Sequence, residues 1–203
     1  MSKKGLLLVI SGPAGSGKGT VIKNLMTKSD TFAYSVSATT RAPRPGEVNG
    51  VNYHYISRED FEARIDGGGM LEYTEYCGNY YGTPKKEAEE VLEGGKNLIL
   101  EIEVVGAENV KRLYPEAVLV MLLPPSFAVQ EARLRGRGTE TEEKIIARLE
   151  QTKNELPMLD IYDYIVYNND GGAEETADDI IAIVKAEKLR RMRNSDAAKR
   201  YFE

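Results

Sequence analysis

The chain has 203 residues, of which 41% are hydrophobic and 29% charged, and a formal net charge of -5. This size and composition predict a globular protein with a sizeable core, and the acidic balance argues against bulk nucleic-acid binding. The single cysteine excludes an intramolecular disulfide and no apolar run approaches the length of a membrane span, so we expect a cytoplasmic protein without nucleic-acid or membrane partners.

Short apolar runs alternate with helical patterns along most of the chain. Buried parallel strands are predicted at residues 6–10, 97–103, 117–123 and 164–167. Helices are predicted at residues 18–28, 105–113, 127–135 and 142–155. Because strands and helices alternate, we expect an α/β fold with a parallel sheet and helices on both of its faces.

Two segments interrupt this alternation. Residues 35–83 are rich in Tyr, Gly, Pro and Arg and predict a small mixed α+β insertion around a helix at residues 58–66. Residues 126–157 follow a proline pair and predict a helical, highly charged second insertion. The predicted domains are therefore a core of residues 1–34, 84–125 and 158–203 with insertions at 35–83 and 126–157.

The stretch GPAGSGKGT, residues 12–20, fits the pattern G-x-x-x-x-G-K between a predicted strand and a predicted helix. Glycines let the backbone wrap around a phosphate, the helix N-terminus adds partial positive charge, and the lysine reaches the outer phosphates. A glycine-rich turn with a chance lysine would not require this position in the chain. We therefore predict nucleotide binding by Gly12, Pro13, Ala14, Gly15, Ser16, Gly17, Lys18, Gly19 and Thr20.

The metal ligands are less clear from the pattern. Gly19 stands where a Ser or Thr hydroxyl normally contacts the metal, and Thr20 is the neighbouring substitute. Glu101 and Glu103 lie near the carboxyl end of a predicted strand, where open α/β sheets bind ligands. Since Mg²⁺ keeps several waters and needs few protein ligands, we expect Mg²⁺ with Thr20 and Glu103 as candidate ligands, directly or through water. A strand-end carboxylate without a ligand is the alternative for Glu103.

The first insertion carries a second candidate phosphate site. Arg41 and Arg44 lie among hydroxyl residues, and Tyr53 and the element GNYYGTP follow in the same segment. Arginine guanidinium groups match phosphate oxygens bidentately, although a solvated basic loop would have the same composition. Glu72 interrupts an apolar and aromatic run, and by itself it could be an exposed strand carboxylate.

Several motifs occur in the order and spacing of guanylate kinases, namely VISGPAGSGKGT, SVSATTRAPRPGEVNGVNYHY, GNYYGTP, LEIEVVGA, LPPS, RGRGTETEE and NND. The chain resembles this family from about residue 6 to about residue 185. The resemblance implies a P-loop NTPase-type sheet, a GMP-binding insertion at 35–83 and a helical lid at 126–157. It also implies direct in-line transfer of phosphate from Mg²⁺-bound ATP to GMP. We expect dGMP to serve as well, because no motif is an obvious reader of the ribose 2′-hydroxyl.

The resemblance implies roles for individual residues. The implied GMP site consists of Ser37, Arg41, Arg44, Tyr53, Glu72, Tyr81, Thr83 and Glu103. The arginines and tyrosines would hold the GMP phosphate, Glu72 would accept from guanine N1–H and the 2-amino group, and Ser37 and Thr83 would face O6. Arg137 and Asn168 would lie near the adenine of ATP, and Arg133 and Arg148 toward its phosphates. The implied catalytic residues are Lys18, Arg41, Arg137 and Arg148.

Some questions stay open at this point. The family usually has Asp where Glu103 stands, so a longer side chain must contact the metal or the nucleotide differently. A non-catalytic interaction module of the same fold is one alternative function, and a P-loop kinase of another phosphorylated acceptor is a second. The intact loop argues against the first alternative, and Glu72 and Thr83 as base readers argue against the second. A homo-oligomer is compatible with the sequence.

Overall fold

The computed structural model describes residues 4–138 and 140–202. Residues 1–3 and 203 of the predicted core, and residue 139 of the predicted lid, lie outside the described residues. The strands are β1 (Leu7–Ser11), β2 (Phe32–Tyr34), β3 (Ala38–Thr39), β4 (His54–Tyr55), β5 (Met70–Tyr76), β6 (Asn79–Pro84), β7 (Asn97–Glu101), β8 (Val118–Leu123) and β9 (Tyr164–Tyr167). The α-helices are α1 (Lys18–Lys28), α2 (Arg58–Asp66), α3 (Lys85–Glu93), α4 (Val104–Leu113), α5 (Phe127–Gly136), α6 (Glu142–Glu155), α7 (Ala173–Leu189) and α8 (Ala197–Tyr201). Within the described ranges, no helix combines the length and apolar character that crossing a bilayer requires.

Five strands form a parallel sheet in the order β2-β7-β1-β8-β9. The central strand β1 pairs with β7 on one side and β8 on the other, so that Leu8 lies opposite both Ile99 and Val118. Every residue of β1 and of β8 is buried, as a strand between two helical layers requires. The predicted α/β fold with a parallel sheet is therefore confirmed.

Helices cover both faces of this sheet. Leu8 and Ile10 of β1 pack into one apolar cluster with residues of α1 and α7, such as Ile180. Leu7 and Val9 point to the opposite face and pack with residues of α3 and α4. Successive side chains of a strand point to opposite faces, so one apolar run contributes to both halves of the core.

Four elements of the core segments were not predicted, namely β2, α3, α7 and α8. The strand β2 has only 3 residues, which is too short for a periodic pattern, and α3 buries only Ala88 and Leu92 among charged residues. The predicted strand 97–103 ends earlier, at Glu101. Glu103 is instead the N-cap residue of α4, with extended φ and ψ angles, so its carboxylate lies at a helix start.

The predicted first insertion contains a second sheet, with strand order β4-β3-β6-β5. Strands β5 and β6 form a hairpin through Cys77 and Gly78, whose φ angles of 50° and 74° are those of a tight primed turn. Helix α2 starts at Ser57, whose hydroxyl accepts from the Asp60 N–H. The start of β5 packs on α4, and Leu71 belongs to the core cluster on that face. The second sheet is thus held beside the end of β7.

Helices α5 and α6 lie within the predicted second insertion. Leu134 of α5 packs with Ile145 and Leu149 of α6, and Ala14 of the loop after β1 packs against the same cluster. Apolar contacts therefore join these two helices to the residues that the sequence predicts to bind phosphate.

Candidate active site

A cleft of about 310 Å³ lies at the carboxyl ends of β1 and β7, beside the second sheet and α6. Its lining includes Gly12, Pro13, Ala14, Lys18, Tyr34, Tyr53, Glu101, Glu103, Arg148, Gln151, Thr152 and Glu155. The fold thus brings residues from the loop after β1, from both predicted insertions and from the end of β7 to one place. This is the edge of an open α/β sheet at which ligands bind.

The loop of residues 12–18, here called the phosphate-binding loop, joins β1 to α1. Gly15 and Gly17 both have φ angles of +87°, a conformation that glycine adopts without strain. Gly17 immediately precedes α1, so the first N–H groups of that helix have no intrahelical acceptor and can bind phosphate oxygens. The Lys18 ammonium group donates to the Gly12 carbonyl, and also to the Pro13 carbonyl at 3.4 Å.

The charge of Lys18 is balanced by carboxylates across the cleft. Burial lowers the pKa of Lys18. The nearby carboxylates of Glu101, Glu103 and Glu155 oppose that shift, whereas Arg137 adds to it. Arg137 is exposed at the end of α5, and its positive charge repels that of Lys18.

Two residues predicted to contact ATP lie against the outside of the phosphate-binding loop. The Asn168 amide donates to the Ser16 carbonyl at 2.8 Å. Arg133 donates to the Gly15 carbonyl at 3.3 Å and to the Asn168 carbonyl at 2.8 Å, and it forms an ion pair with Asp170 at 2.7 Å. Their contacts orient the loop backbone, and neither side chain lines the cleft in the described part of the chain.

Glu72 is buried in the second sheet, with only 3% of its surface exposed. It lies opposite Thr83 in the β5–β6 pair, and the Thr83 hydroxyl donates to Glu72 Oε1 at 2.8 Å. Burial raises the pKa of Glu72 to about 7, and the hydrogen bonds from Thr83 oppose the shift. A carboxyl group in this environment is stabilised as an anion when a ligand supplies further hydrogen-bond donors.

Arg41 and two tyrosines predicted with it lie together. The ring centroids of Tyr53 and Tyr81 are 6.0 Å apart, and Arg41 Cζ is 5.6 Å from the Tyr53 ring centroid. Arg44 is exposed three residues further along the loop, and Ser37 is half-buried directly before β3. Tyr53 also lines the cleft and so connects this group with the phosphate-binding loop.

Glu47 was missed in the sequence, although it follows Arg44 by only three residues. Its carboxylate accepts from Arg41 at 3.0 and 2.9 Å, from the Arg44 backbone N–H at 2.7 Å and from the Tyr55 hydroxyl at 2.8 Å. The Arg44 N–H, with the Tyr55 hydroxyl and Arg41, holds the pKa of Glu47 at about 2. Glu47 therefore stays ionised and orients the Arg41 guanidinium.

The acidic side of the cleft combines predicted and unpredicted residues. Gln151 donates to Glu155 at 2.7 Å and lies 3.4 Å from Glu103 Oε2. Burial raises the pKa of Glu155, and the neighbouring Glu103 adds to that shift. The Tyr34 hydroxyl donates to Glu101 Oε2 at 3.1 Å. Gln151 and Glu155 gave no signal in the sequence, because both lie in an ordinary helix pattern, and Tyr34 gave none because β2 is too short for any pattern.

The carboxylates of the cleft would supply only some of the ligands of a metal ion. Among residues 4–138 and 140–202, no group of three or more His, Cys, Asp or Glu side chains could hold a metal ion. Thr20 is exposed in the first turn of α1 and does not line the cleft. Glu103 and Glu155 face Lys18 and offer hard oxygen ligands, which suits Mg²⁺ bound mainly by nucleotide phosphates and water.

The arginines predicted in the second insertion occupy different environments. Arg148 lines the cleft from α6, and its Nε donates to Glu140 Oε2 at 2.7 Å. Arg137 is the C-cap residue of α5, on the side of Lys18. Arg148 therefore faces the cleft, and Arg137 lies close enough to Lys18 to affect its pKa.

A larger cavity, about 1060 Å³, lies at the opposite edge of the sheet, near the starts of β1 and β8. In the described chain it contains none of the predicted site residues. Its arginines Arg193 and Arg200 already form ion pairs with Glu187 and Asp196. The smaller cleft, which has the phosphate-binding loop, is the candidate active site.

Comparison with known proteins shows consistent similarities. A family model described as guanylate kinase matches residues 4–187. The guanylate kinase of Halalkalibacterium halodurans is 53% identical over 191 residues, covering 94% of this chain and 93% of the relative. That of Bacillus subtilis is 47% identical over 204 residues, covering 100% and 99%. The crystal structure of guanylate kinase from Anaplasma phagocytophilum has a TM-score of 0.74 at 33% identity, covering 94% of this chain and 90% of that one.

Proposed function

The chain belongs to the guanylate kinase family and phosphorylates GMP with ATP, and we propose that the reaction takes place in the cleft between the phosphate-binding loop and the second sheet. The observation that carries this proposal is that the phosphate-binding loop and the second sheet's insertion both contribute residues to one cleft. Lys18 lies on one side, and Tyr53, beside Arg41, lies on the other. A donor nucleotide on the loop and an acceptor on the second sheet would then meet between them.

The acceptor side binds GMP through its base and its phosphate. Guanine presents two adjacent donors, N1–H and the 2-amino group, and the carboxylate of Glu72 offers two acceptors at matching spacing. Thr83 and Ser37 face O6. Arg41 and Arg44, with Tyr53 and Tyr81, bind the GMP phosphate, and this is supported by the clustering of Arg41 with both rings. Glu103 lines the cleft beside Glu155, and we propose that it completes this site by contacting GMP or by holding the metal.

The donor side binds ATP on the phosphate-binding loop and transfers its terminal phosphate directly and in line. Phosphoryl transfer needs positioning and positive charge more than covalent help. Lys18, Arg137 and Arg148 supply that charge from the donor side and Arg41 from the acceptor side, which is supported by their placement around the cleft. Arg133 and Asn168 hold the loop backbone, and we propose that Asn168 also lies near the adenine of ATP and Arg133 toward its phosphates.

We further propose that the chain divides into the core of residues 1–34, 84–125 and 158–203, a GMP-binding insertion of residues 35–83 and a lid of residues 126–157. The separate second sheet and the helix pair α5–α6 support this division. Closure of the lid excludes water, which would otherwise compete with GMP as the acceptor.

Mg²⁺ is the metal that fits this donor set, with Glu103 and Glu155 holding it directly or through water beside the ATP phosphates. When bound, it neutralises charge on the phosphate oxygens. Thr20, whose hydroxyl is exposed in the first turn of α1, is a further proposed ligand, directly or through water. The enzyme acts as a cytoplasmic protein, which is supported by the exposed free thiol of Cys77, a group suited to a reducing compartment.

The affinity for GMP is expected to increase as the pH rises through about 7. The pKa of Glu72 is raised to about 7, and only the ionised carboxylate can accept from both guanine donors. Below this pH, GMP binding must displace a proton, so the affinity falls by up to tenfold per pH unit. Calorimetric titration between pH 5.5 and 8.5 measures the Kd for GMP. The same titration of Glu72→Gln isolates the contribution of the GMP phosphate, whose own second pKa is about 6. Identical pH profiles for both proteins would contradict the prediction.

The assignment is tested by ADP formation from Mg²⁺-ATP with GMP, dGMP, AMP, UMP, CMP or no acceptor. We expect turnover with GMP and dGMP alone. Turnover without an acceptor would indicate an ATPase that uses water. No ADP formation with any acceptor, together with intact GMP binding, would favour the non-catalytic interaction module. Preference for another phosphorylated acceptor would mean that Glu72 does not read guanine.

A further inference from the structure

A buried chain of hydrogen bonds connects the phosphate-binding loop with α5 and α6. Gln130 of α5 and Thr152 of α6 are only 1% and 3% exposed. The Gln130 amide nitrogen donates to the Ala14 carbonyl at 2.9 Å and to the Thr152 hydroxyl at 2.7 Å. The Thr152 hydroxyl in turn donates to the Arg148 carbonyl at 3.0 Å. These hydrogen bonds therefore connect the loop with the backbone of Arg148, the arginine that lines the cleft.

The direction of each bond in this chain is determined by the atoms involved. A hydroxyl has one hydrogen, which Thr152 gives to Arg148, so Thr152 must accept from Gln130. The Gln130 amide has two hydrogens, and both are used, one on each side. Buried polar groups cost free energy unless they are paired, and an apolar side chain would fill the same space without that requirement. Packing alone therefore does not explain a glutamine at this position.

Helix α5 also lies directly over the phosphate-binding loop. A Cβ atom at Gly15 would be 3.3 Å from the Gln130 carbonyl oxygen and 3.4 Å from Leu134 Cγ. Leu134 belongs to the apolar cluster that Ala14 contacts. The contact surface leaves little space between helix and loop, so a change in the position of α5 is transmitted to the loop backbone.

We propose that Gln130 is a positioning residue that holds the phosphate-binding loop and α6 in a fixed relation. The proposal rests on the proposed function of the cleft, in which Lys18 and Arg148 act on the same phosphates. Gln130 contacts neither Lys18 nor Arg148. Its bond to Ala14 holds the loop that carries Lys18, and its bond to Thr152 holds the helix that carries Arg148. Since transfer depends on both charges being in place together, a displacement of about 1 Å costs roughly 10²-fold in rate.

The test compares Gln130→Met, which keeps the length of the side chain and removes its donors, with Thr152→Val, which removes only the link to α6. We expect kcat for GMP phosphorylation to fall roughly 10- to 100-fold in Gln130→Met, with the KM for GMP changed less than about twofold. The Kd for Mg²⁺-ADP, measured without GMP, should weaken several-fold in Gln130→Met and little in Thr152→Val. Thr152→Val should still lower kcat several-fold, and as an isosteric change it tests the link even where Gln130→Met folds poorly.

A matched control is Tyr164→Phe, which removes a hydrogen bond of 2.7 Å to the buried Glu187 at the far end of β9 from Asn168. It should lower the melting temperature and leave kcat unchanged. The effects of Gln130→Met and Arg148→Lys should be less than additive in the double variant if Gln130 acts through Arg148. Additive effects, or wild-type kcat in both Gln130→Met and Thr152→Val, would overturn the proposal. Absence of GMP-dependent turnover in the wild type would instead refute the proposed function, while ADP affinity still tests the link to the loop.

Discussion

Replacement of Glu72 by glutamine is expected to lower kcat/KM for GMP by roughly 10³-fold. The carboxylate is buried at 3% exposure and offers two acceptors to two guanine donors. Glutamine keeps one acceptor oxygen, but its NH₂ group must face one of the two guanine N–H groups. Two donors then face each other and neither has an acceptor. Loss of a buried charged hydrogen bond, and the unpaired donors that remain, account for an effect of this size.

The measurement is the initial rate of ADP formation with GMP and with IMP, which lacks the 2-amino group. The wild type should prefer GMP strongly, whereas Glu72→Gln should reduce the ratio between the two substrates. Glu75→Gln is the matched control, because Glu75 lies on the same strand, is exposed and pairs with Arg58; it should behave as the wild type. An equal decrease with GMP and IMP would show that Glu72 is structural and does not read the base.

The pH dependence of stability further separates a base-reading role of Glu72 from a structural role. Burial raises the pKa of Glu72 in the folded protein to about 7 from its usual 4.5, so the folded protein binds this proton more tightly than the unfolded chain. The stability that this group contributes is therefore greatest at low pH and is lost as the pH rises from about 4.5 through about 7. Glutamine cannot ionise, so Glu72→Gln should melt no lower than the unliganded wild type at pH 8, even though its activity with GMP is lost.

Lys18→Met is expected to lower kcat by about 10³-fold while leaving the affinity for GMP within about twofold of the wild type. Methionine has a similar length and no charge, so it removes the cation that lies inside the phosphate-binding loop without creating a cavity. The residues proposed to bind GMP belong to the first insertion and keep their own contacts, among them Arg41 with Tyr53. The defect should therefore appear in the chemical step.

Single-turnover rates with Mg²⁺-ATP and saturating GMP measure the effect of Lys18→Met, and calorimetry measures GMP binding. Lys23→Met provides a control on the same helix, because Lys23 is exposed and lies outside the cleft lining; its kcat should equal that of the wild type. A kcat for Lys18→Met within tenfold of the wild type would contradict the role given to this lysine.

The sequence by itself determined much of the core and the position of the glycine loop between β1 and α1. Continuous apolar runs between helices predicted strands close to β1, β7 and β8, because a strand covered on both faces needs mainly apolar side chains. A shorter run predicted the edge strand β9, of which only Val166 is buried. The glycine pattern predicted the phosphate-binding loop, since the positive φ angles of Gly15 and Gly17 favour glycine at these two positions. Short or highly charged elements such as β2 and α3 lack such a pattern and were missed.

Only the tertiary structure decided which side chains meet. Glu72 could have been an exposed strand carboxylate, and its burial results from the packing of β5 on α4 and of the hairpin on Thr83. Asn168 and Ser16 are 152 residues apart in the chain, and their hydrogen bond depends on the position of β9 in the sheet. The contacts of Gln130 with Ala14 and Thr152 arise in the same way. Local pattern specifies the conformation of a segment and the face it buries, whereas the partner of a polar side chain depends on how distant segments pack.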